Sequence, residues 1–206
     1  MSEGLTQFTT KRLWGANRYE TNLAILEEAG VTGGEILVCT GYGFADSLSA
    51  SAVGKPILLV DKKLTAGQEA YLASLTDDSY VIVGGIGAVN EVVEESLRGY
   101  GVIERLAGAN RFATSVMVAE RFFENPTNAV VAYAANFPDG LCGGPLAMSM
   151  GGPLLLTANN DAAITAAYTA ENGICDGVVL GGPGLISDNA VRQIFGMEAD
   201  APIVVK

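Results

Sequence analysis

Two rhythms of apolar residues alternate along this chain. Tyr19, Leu23 and Leu26 recur at helical spacing, and Phe112, Val116, Ala119 and Phe123 do the same further on. Between such stretches lie short continuous apolar runs. Ile36-Leu37-Val38-Cys39-Thr40 follows the Gly33-Gly34 pair, and Ala129 to Tyr133 is its counterpart. Runs of this length between turn residues predict strands buried on both faces. The next strands, Pro56-Ile57-Leu58-Leu59 and Pro153-Leu154-Leu155-Leu156, open with proline, which is tolerated where no ladder donor is needed. Tyr80 to Val83 and Val178 to Leu180 read as third strands. Helix starts are marked by Asn17 with Glu20 and by Thr65 with Gln68, two capping-box patterns, the second helix running to about Leu75 with a counterpart from near Asp161. Asn90 and Ser187 are placed as caps of the last helices, and Asp46 and Asp139 as caps of small-residue helices. Val102-Ile103 predicts a short edge strand, which Ile203-Val204-Val205 repeats.

Each half therefore reads α-β-α-β-α-β-α with one edge strand. Alternation with crossovers of a dozen or more residues predicts a parallel sheet between helix layers. The expected fold class is α/β: two tandem three-layer, Rossmann-like modules, each with a small parallel sheet flanked by helices. Residues 1–10 are polar and predict a loose tail, with the modules spanning 11–104 and 105–206. No linker separates Glu104 from Arg105, so the modules are expected to pack together.

The halves are an internal duplication. Arg12-Leu13-Trp14-Gly15-Ala16-Asn17-Arg18-Tyr19-Glu20-Thr21 returns as Arg105-Leu106-Ala107-Gly108-Ala109-Asn110-Arg111-Phe112-Ala113-Thr114. Phe44-Ala45-Asp46 returns as Phe137-Pro138-Asp139, and Val81-Ile82-Val83-Gly84-Gly85-Ile86-Gly87 as Val178-Val179-Leu180-Gly181-Gly182-Pro183-Gly184. Asp46 and Pro56 are 10 positions apart, Asp139 and Pro153 14, so the first module is expected to have lost one helical turn. These landmarks resemble the cell wall binding repeat type 2 family of Gram-positive surface proteins, whose modules open R-[LVI]-x-G-x-[DN]-R-[YF]-x-T and continue through F-[PA]-D, P-I-L-L and V-x-[GV]-G. The resemblance spans nearly the whole chain from Arg12. It implies non-catalytic, non-covalent anchoring to a secondary wall polysaccharide, an extracellular location at the cell wall, and tandem modules packed in threes about a pseudo-threefold axis. It also attaches polymer binding to Pro56, Ile57, Leu58 and Leu59 and to Pro153, Leu154, Leu155 and Leu156.

Charge narrows the partners. Residues 11–104 hold 7 Lys plus Arg against 13 Asp plus Glu, and residues 105–206 hold 5 against 9. Two acidic modules argue against binding nucleic acid through its phosphates. On this background Lys55, Lys62 and Lys63 stand out as a local site for an anionic glycan. The second module has Gly152 and Thr157-Ala158-Asn159 in their place. The chain has no histidine, and its three cysteines show no CxxC spacing, so neither a zinc site nor a disulfide framework is expected, and no cofactor. No apolar run reaches the roughly 18 residues of a membrane span. Met1 to Thr10 lacks the features of a signal peptide.

Three loops are expected to meet beyond the strand ends of the first module, Gly41 to Asp46, Asp61-Lys62-Lys63 and Gly84 to Asn90, where open α/β sheets take ligands. Gly84-Gly85-Ile86-Gly87 is not G-x-G-x-x-G, so tight turns are preferred to a nucleotide site. Asp46 and Asp139 lack the histidine or second carboxylate that a catalytic role needs. Arg18 and Arg111 stand in first helical turns, against the helix dipole, and are expected to bind loop carbonyls or those aspartates, with a polymer contact as the functional alternative. Arg12, Gly15, Asn17, Arg105, Gly108 and Asn110 complete the motif set. Two other functions stay open: a sugar- or nucleotide-modifying enzyme using the strand-end pocket, and a structural surface-layer module. Self-association, contact with modules of the same family, or a pseudo-twofold pair within the chain is expected to hide the apolar packing faces.

Overall fold

The computed structural model describes residues 10–159 and 161–204. Most of the anticipated tail, residues 1–9, and Val205 of the anticipated last strand lie outside them. In chain order the elements are α1 (Arg18–Glu28), β1 (Gly33–Thr40), α2 (Ala45–Ser51), β2 (Ile57–Val60), α3 (Ala66–Leu72), β3 (Thr76–Val83), α4 (Glu91–Arg98) and β4 (Val102–Leu106). There follow α5 (Arg111–Phe122), β5 (Ala129–Tyr133), α6 (Gly143–Met150), β6 (Leu154–Thr157), α7 (Ala163–Glu171), β7 (Gly177–Leu180) and α8 (Asp188–Phe195). The strands form two parallel sheets, β2-β1-β3-β4 and β6-β5-β7. The α/β class and the two-module plan are those the apolar pattern predicts.

Local chemistry sets the helix starts. Asn17 and Asn110 sit in extended conformation, and each side chain accepts two backbone N–H groups of the first turn at 3.0 Å. Thr65 and Gln68 form the reciprocal capping box. Glu20 reaches one residue further back than such a box requires, accepting from the Ala16 amide at 2.7 Å. Asn90 and Ser187 cap α4 and α8.

Three expectations need correction. Asp46 and Asp139 are not caps: Asp46 lies inside the first turn of α2, behind Phe44, and exposed Asp139 precedes α6 altogether. The four extra residues of the second module are not a helical turn. They form the irregular stretch before α6, where Pro138 and Gly140 disfavour helix. Finally, Ile203 and Val204 form no strand. Pro202 removes an amide beside them, and Arg192 instead holds the Ala201 carbonyl, at 3.3 Å from its Nη2.

Each sheet has two differently covered faces. α1, α3 and α4 close one face of the first sheet over Ile36, Val38, Leu58, Tyr80 and Ile82. Its other face, Leu37, Cys39, Val81 and Val83, is covered by Ala50 of α2 together with Met117, Val118 and Phe122 of α5. In return, Leu48 of α2 and Ala52 just after it pack on Val130, Ala132, Leu154 and Leu156 of the second sheet. The modules therefore share two of their cores.

Candidate functional site

The opening motif of the second repeat builds one wall of a cleft at this junction. In Arg105-Leu106-Ala107-Gly108-Ala109-Asn110-Arg111, the Gly108 amide donates to Thr114 Oγ1 at 3.1 Å. A side chain at Gly108 would collide with Ala113, its Cβ lying 2.4 Å from that of the alanine, so the turn into α5 requires glycine. Gly15 makes the same bond to Thr21 at 3.0 Å. Arg111 turns away from its helix end. Its Nη1 donates to the Ala134 carbonyl at 2.6 Å, and its guanidinium lies 5.8 Å from the centre of the Phe44 ring. Arg18 donates likewise to the Gly41 carbonyl.

The opposite wall comes from the strand ends of the first module. The cleft has a volume of about 490 Å³ and runs between Thr40, the 42–46 loop and Gly85–Ala88 on one side, and Gly108–Arg111 with Thr114 on the other. Asp46 stands in it, half-buried. Its Oδ2 lies where a side chain on Gly84 would have to start, 2.5 Å from the position of a Cβ, and Gly84 has φ of +114°. Burial raises the Asp46 pKa, with Arg111 pulling the other way. Tyr42 is exposed at the rim, and hydrogen bonding with Asp61 raises its phenol pKa. Phe44 meets Phe137 of the second module at 5.6 Å.

Arg105 points elsewhere. From β4 it donates to the carbonyls of Gly84 at 2.7 Å and Val89 at 3.0 Å, and to Glu94 at 3.1 and 2.6 Å. The hydrogen bond from Arg105 holds the Glu94 carboxyl below the usual range. Arg12, its repeat counterpart, is exposed.

The three lysines do not form one site. Lys55 precedes β2 and pairs with Glu35 at 3.4 Å, whereas Lys62 and Lys63 follow it. At about 3.3 Å per residue, seven extended residues would separate Lys55 from Lys62 by about 23 Å. Asn90 ties the Lys62 carbonyl to the α4 loop at 2.8 Å, so the second and third loops do meet.

The proline-led strands are core. Leu154, Leu155 and Leu156 are buried, as are Pro153 and Leu58, while Pro56, Ile57 and Leu59 are half-buried. Their amides are also taken. The Leu59 N–H donates to Asn22 Oδ1 at 2.8 Å and the Leu156 N–H to Ser115 Oγ at 3.1 Å. Side chains of α1 and α5 thus seal these sheet edges against pairing with anything else.

Residues 12–94 and 105–191 each match Cell wall binding domain 2 (CWB2). The chain belongs to the CWB2 family. The N-acetylmuramoyl-L-alanine amidase LytC of Bacillus subtilis is 29% identical over 199 residues, covering 92% of this chain and 40% of that protein. The amidase enhancer of the same organism is 27% identical over 190 residues, covering 90% and 26%. Among solved structures, Cwp8 from Clostridium difficile superposes with a TM-score of 0.78 at 28% identity, covering 92% of this chain and 34% of that one. Cwp6 from the same organism shares the fold, with a TM-score of 0.75 at 23% identity over 93% and 32%. The chain spans less than half the length of each of these relatives. Tyr42 and Ala88 lie in the Gly41–Asp46 and Gly84–Asn90 loops expected at the strand ends, but the two CWB2 repeats supply opposite walls of the cleft, which is why no pattern within one repeat marks Gly108, Ala109 or Thr114 as the facing wall. Phe44 and Phe137 carried the available signal, as a repeated landmark, but their meeting is a product of packing.

Proposed function

We propose that this chain attaches, without catalysis and without a covalent bond, to a secondary polysaccharide of the cell wall, and that the cleft between the two repeats is where it binds. The observation that carries the reading is the CWB2 match in both halves. What the chain shares with LytC is the CWB2 portion, which supports a non-catalytic role outside the cell at the wall. The cleft adds a location. It offers an exposed tyrosine, the Phe44 ring, a guanidinium and a carboxyl within one concave surface, the mix of apolar faces and few polar groups that orients small ligands. The proline-led strands offer buried or half-buried side chains instead.

Retention on isolated wall fractions tests this. The chain is retained on fractions that keep the polysaccharide and is washed through those stripped of it. Salt weakens retention, because exposed Arg111 is screened within about 8 Å at physiological ionic strength. Tyr42→Ala, at an exposed position, lowers retention about fivefold to tenfold, the equivalent of ~1 kcal/mol of aromatic contact. Lys62→Gln with Lys63→Gln leaves it near wild type. Full retention by Tyr42→Ala would move the site away from the cleft, and retention on stripped fractions would end the polysaccharide reading.

A further inference from the structure

The strand ends of the two repeats share a backbone frame and differ in what stands on it. The Gly41 N–H donates to the Val60 carbonyl at 2.9 Å, and the Ala134 N–H to the Thr157 carbonyl at 2.8 Å. Arg18 and Arg111 hold the carbonyls of Gly41 and Ala134 in the same way. On this frame the first repeat sets Tyr19, Tyr42 and Asp61, where the second has Phe112, Ala135 and Ala158. The second strand end folds with no hydroxyl and no carboxylate at those positions. The fold therefore does not call for them in the first.

Tyr19 is also put to a different use from its counterpart. Phe112 packs on the core of Val130, Ala132, Leu154 and Leu156. Among the described residues Tyr19 joins no such core. Its ring lies across Gly41 instead: a Cβ there would stand 2.4 Å from Tyr19 Cε1 and 3.0 Å from the hydroxyl. Glycine leaves room for this ring, and the second repeat has Ala134 at that place. Tyr42, next along the chain, is 69% exposed and hydrogen-bonds Asp61, just past the end of β2. Burial and then Asp61 raise the Tyr19 phenol pKa, the Asp61 hydrogen bond raises that of Tyr42, and Arg18 pulls both down. Two phenols, a carboxylate and a guanidinium thus gather beyond the ends of β1 and β2. Of these only Tyr42 also lines the cleft.

The spare hydrogen-bonding capacity of this group is for donors. Asp61 Oδ1 accepts the Lys62 amide at 2.6 Å, and a carboxylate has room for several more. A phenol that donates to a carboxylate keeps its own oxygen as an acceptor. Asp61 and Arg18 carry opposite charges, so an anion is repelled by one and a cation by the other. The open phenol ring presents its negative face to polarised C–H groups. A ligand with hydroxyl donors, a C–H face and no charge meets all of these conditions. We infer that Tyr19, Tyr42 and Asp61 form a subsite for an uncharged sugar ring of the wall polysaccharide, stacked on Tyr42 with its hydroxyls donating to Asp61. The subsite rests on the attachment proposed above and continues the cleft past its rim through Tyr42. The second repeat has no equivalent, so the two strand ends read the polymer differently.

The test uses the isotope-labelled full chain and the uncharged oligosaccharides released from wall polysaccharide by mild acid, with every charged fragment removed on an anion exchanger. Titration followed by NMR should give saturable shifts at the amides of Tyr42, Asp61 and Lys62. They should persist in about 1 M salt, where charges are screened within about 3 Å. Asp61→Asn should weaken this binding about tenfold, as the loss of a hydrogen bond to a charged group does. Tyr19→Phe with Tyr42→Ala and Asp61→Ala gives the first strand end the residues of the second, and should abolish it. Circular dichroism checks that this variant folds, and Asp61→Asn decides the question if it does not. Tighter binding by Asp61→Asn would mean that the subsite takes an anion, and shifts confined to Gly108–Thr114 would return all binding to the cleft; either overturns the inference. Retention on intact wall fractions is read separately. A chain that is retained there yet ignores the uncharged fragments keeps the attachment and loses the subsite.

Discussion

Asp46 sits in a place that suits its neutral form. Burial raises its pKa and attraction to Arg111 only partly offsets this. The folded state therefore holds the proton to a higher pH than the unfolded chain, whose aspartates titrate at about 3.9. Between those two values the native state binds more protons, so stability falls as pH rises through the window, and the cost persists above it. Asp46→Asn removes that cost. Thermal melts should show the variant melting above wild type at pH 7, with the gap closing near pH 3. A variant that melts lower at pH 7 would mean that the Arg111 attraction outweighs burial. The amino-acid pattern located Asp46 but assigned it the cap position. Cap preference is a rule about one turn, and the position of this carboxyl depends on Gly84, far along the chain.

At the scale of elements, β4 is the strand on which the junction depends. It adds to the first sheet although its Arg105-Leu106 opens the second repeat, and Arg105 anchors it by bonds to Gly84, Val89 and Glu94. Arg105→Ala leaves Glu94 without this partner and should cost about 2–3 kcal/mol, the scale of a hydrogen bond to a charged group. Denaturant titration at neutral pH reads this loss. Glu94, whose pKa is lowered, contributes stability above the ordinary glutamate value and loses it as pH falls through the lowered one. The difference between variant and wild type should therefore shrink in acid, and a loss independent of pH would remove Glu94 from the account. Strand and helix order were legible because period and turn residues act locally. The missing partner of Ile203-Val204 was not. A strand is completed by what it pairs with, and apolar content alone does not supply a counterpart to Arg105.

For the whole molecule, shared cores decide how it unfolds. Val118 of the second repeat lies in the first sheet's core, and Leu48 of the first repeat lies in the second's. Neither module closes its own sheet, so one cooperative transition is expected in calorimetry, with calorimetric and van't Hoff enthalpies equal. Two resolved transitions would show that the modules stand alone. This sharing also marks the limit of reading a repeat from its residues. Ile25 and Val118 are both apolar and hold the same repeat position, yet one faces solvent and the other a neighbour. Position in the row, rather than side-chain type, sets their fates, and the cleft of Asp46 and Arg111 is likewise set by adjacency.

The cleft belongs to neither repeat, and under the proposed function this changes how capacity for polymer grows. With one wall from each of two neighbours, sites are counted by junctions and not by modules. A single repeat would hold half a site and bind nothing. An open row gains one site with each repeat after the first, and closure into a ring adds one more. Because linked sites act at high local concentration, each added junction strengthens attachment by more than its own affinity. A chain of such repeats would hold a wall through a threshold in length, with weak grip below it and firm grip above.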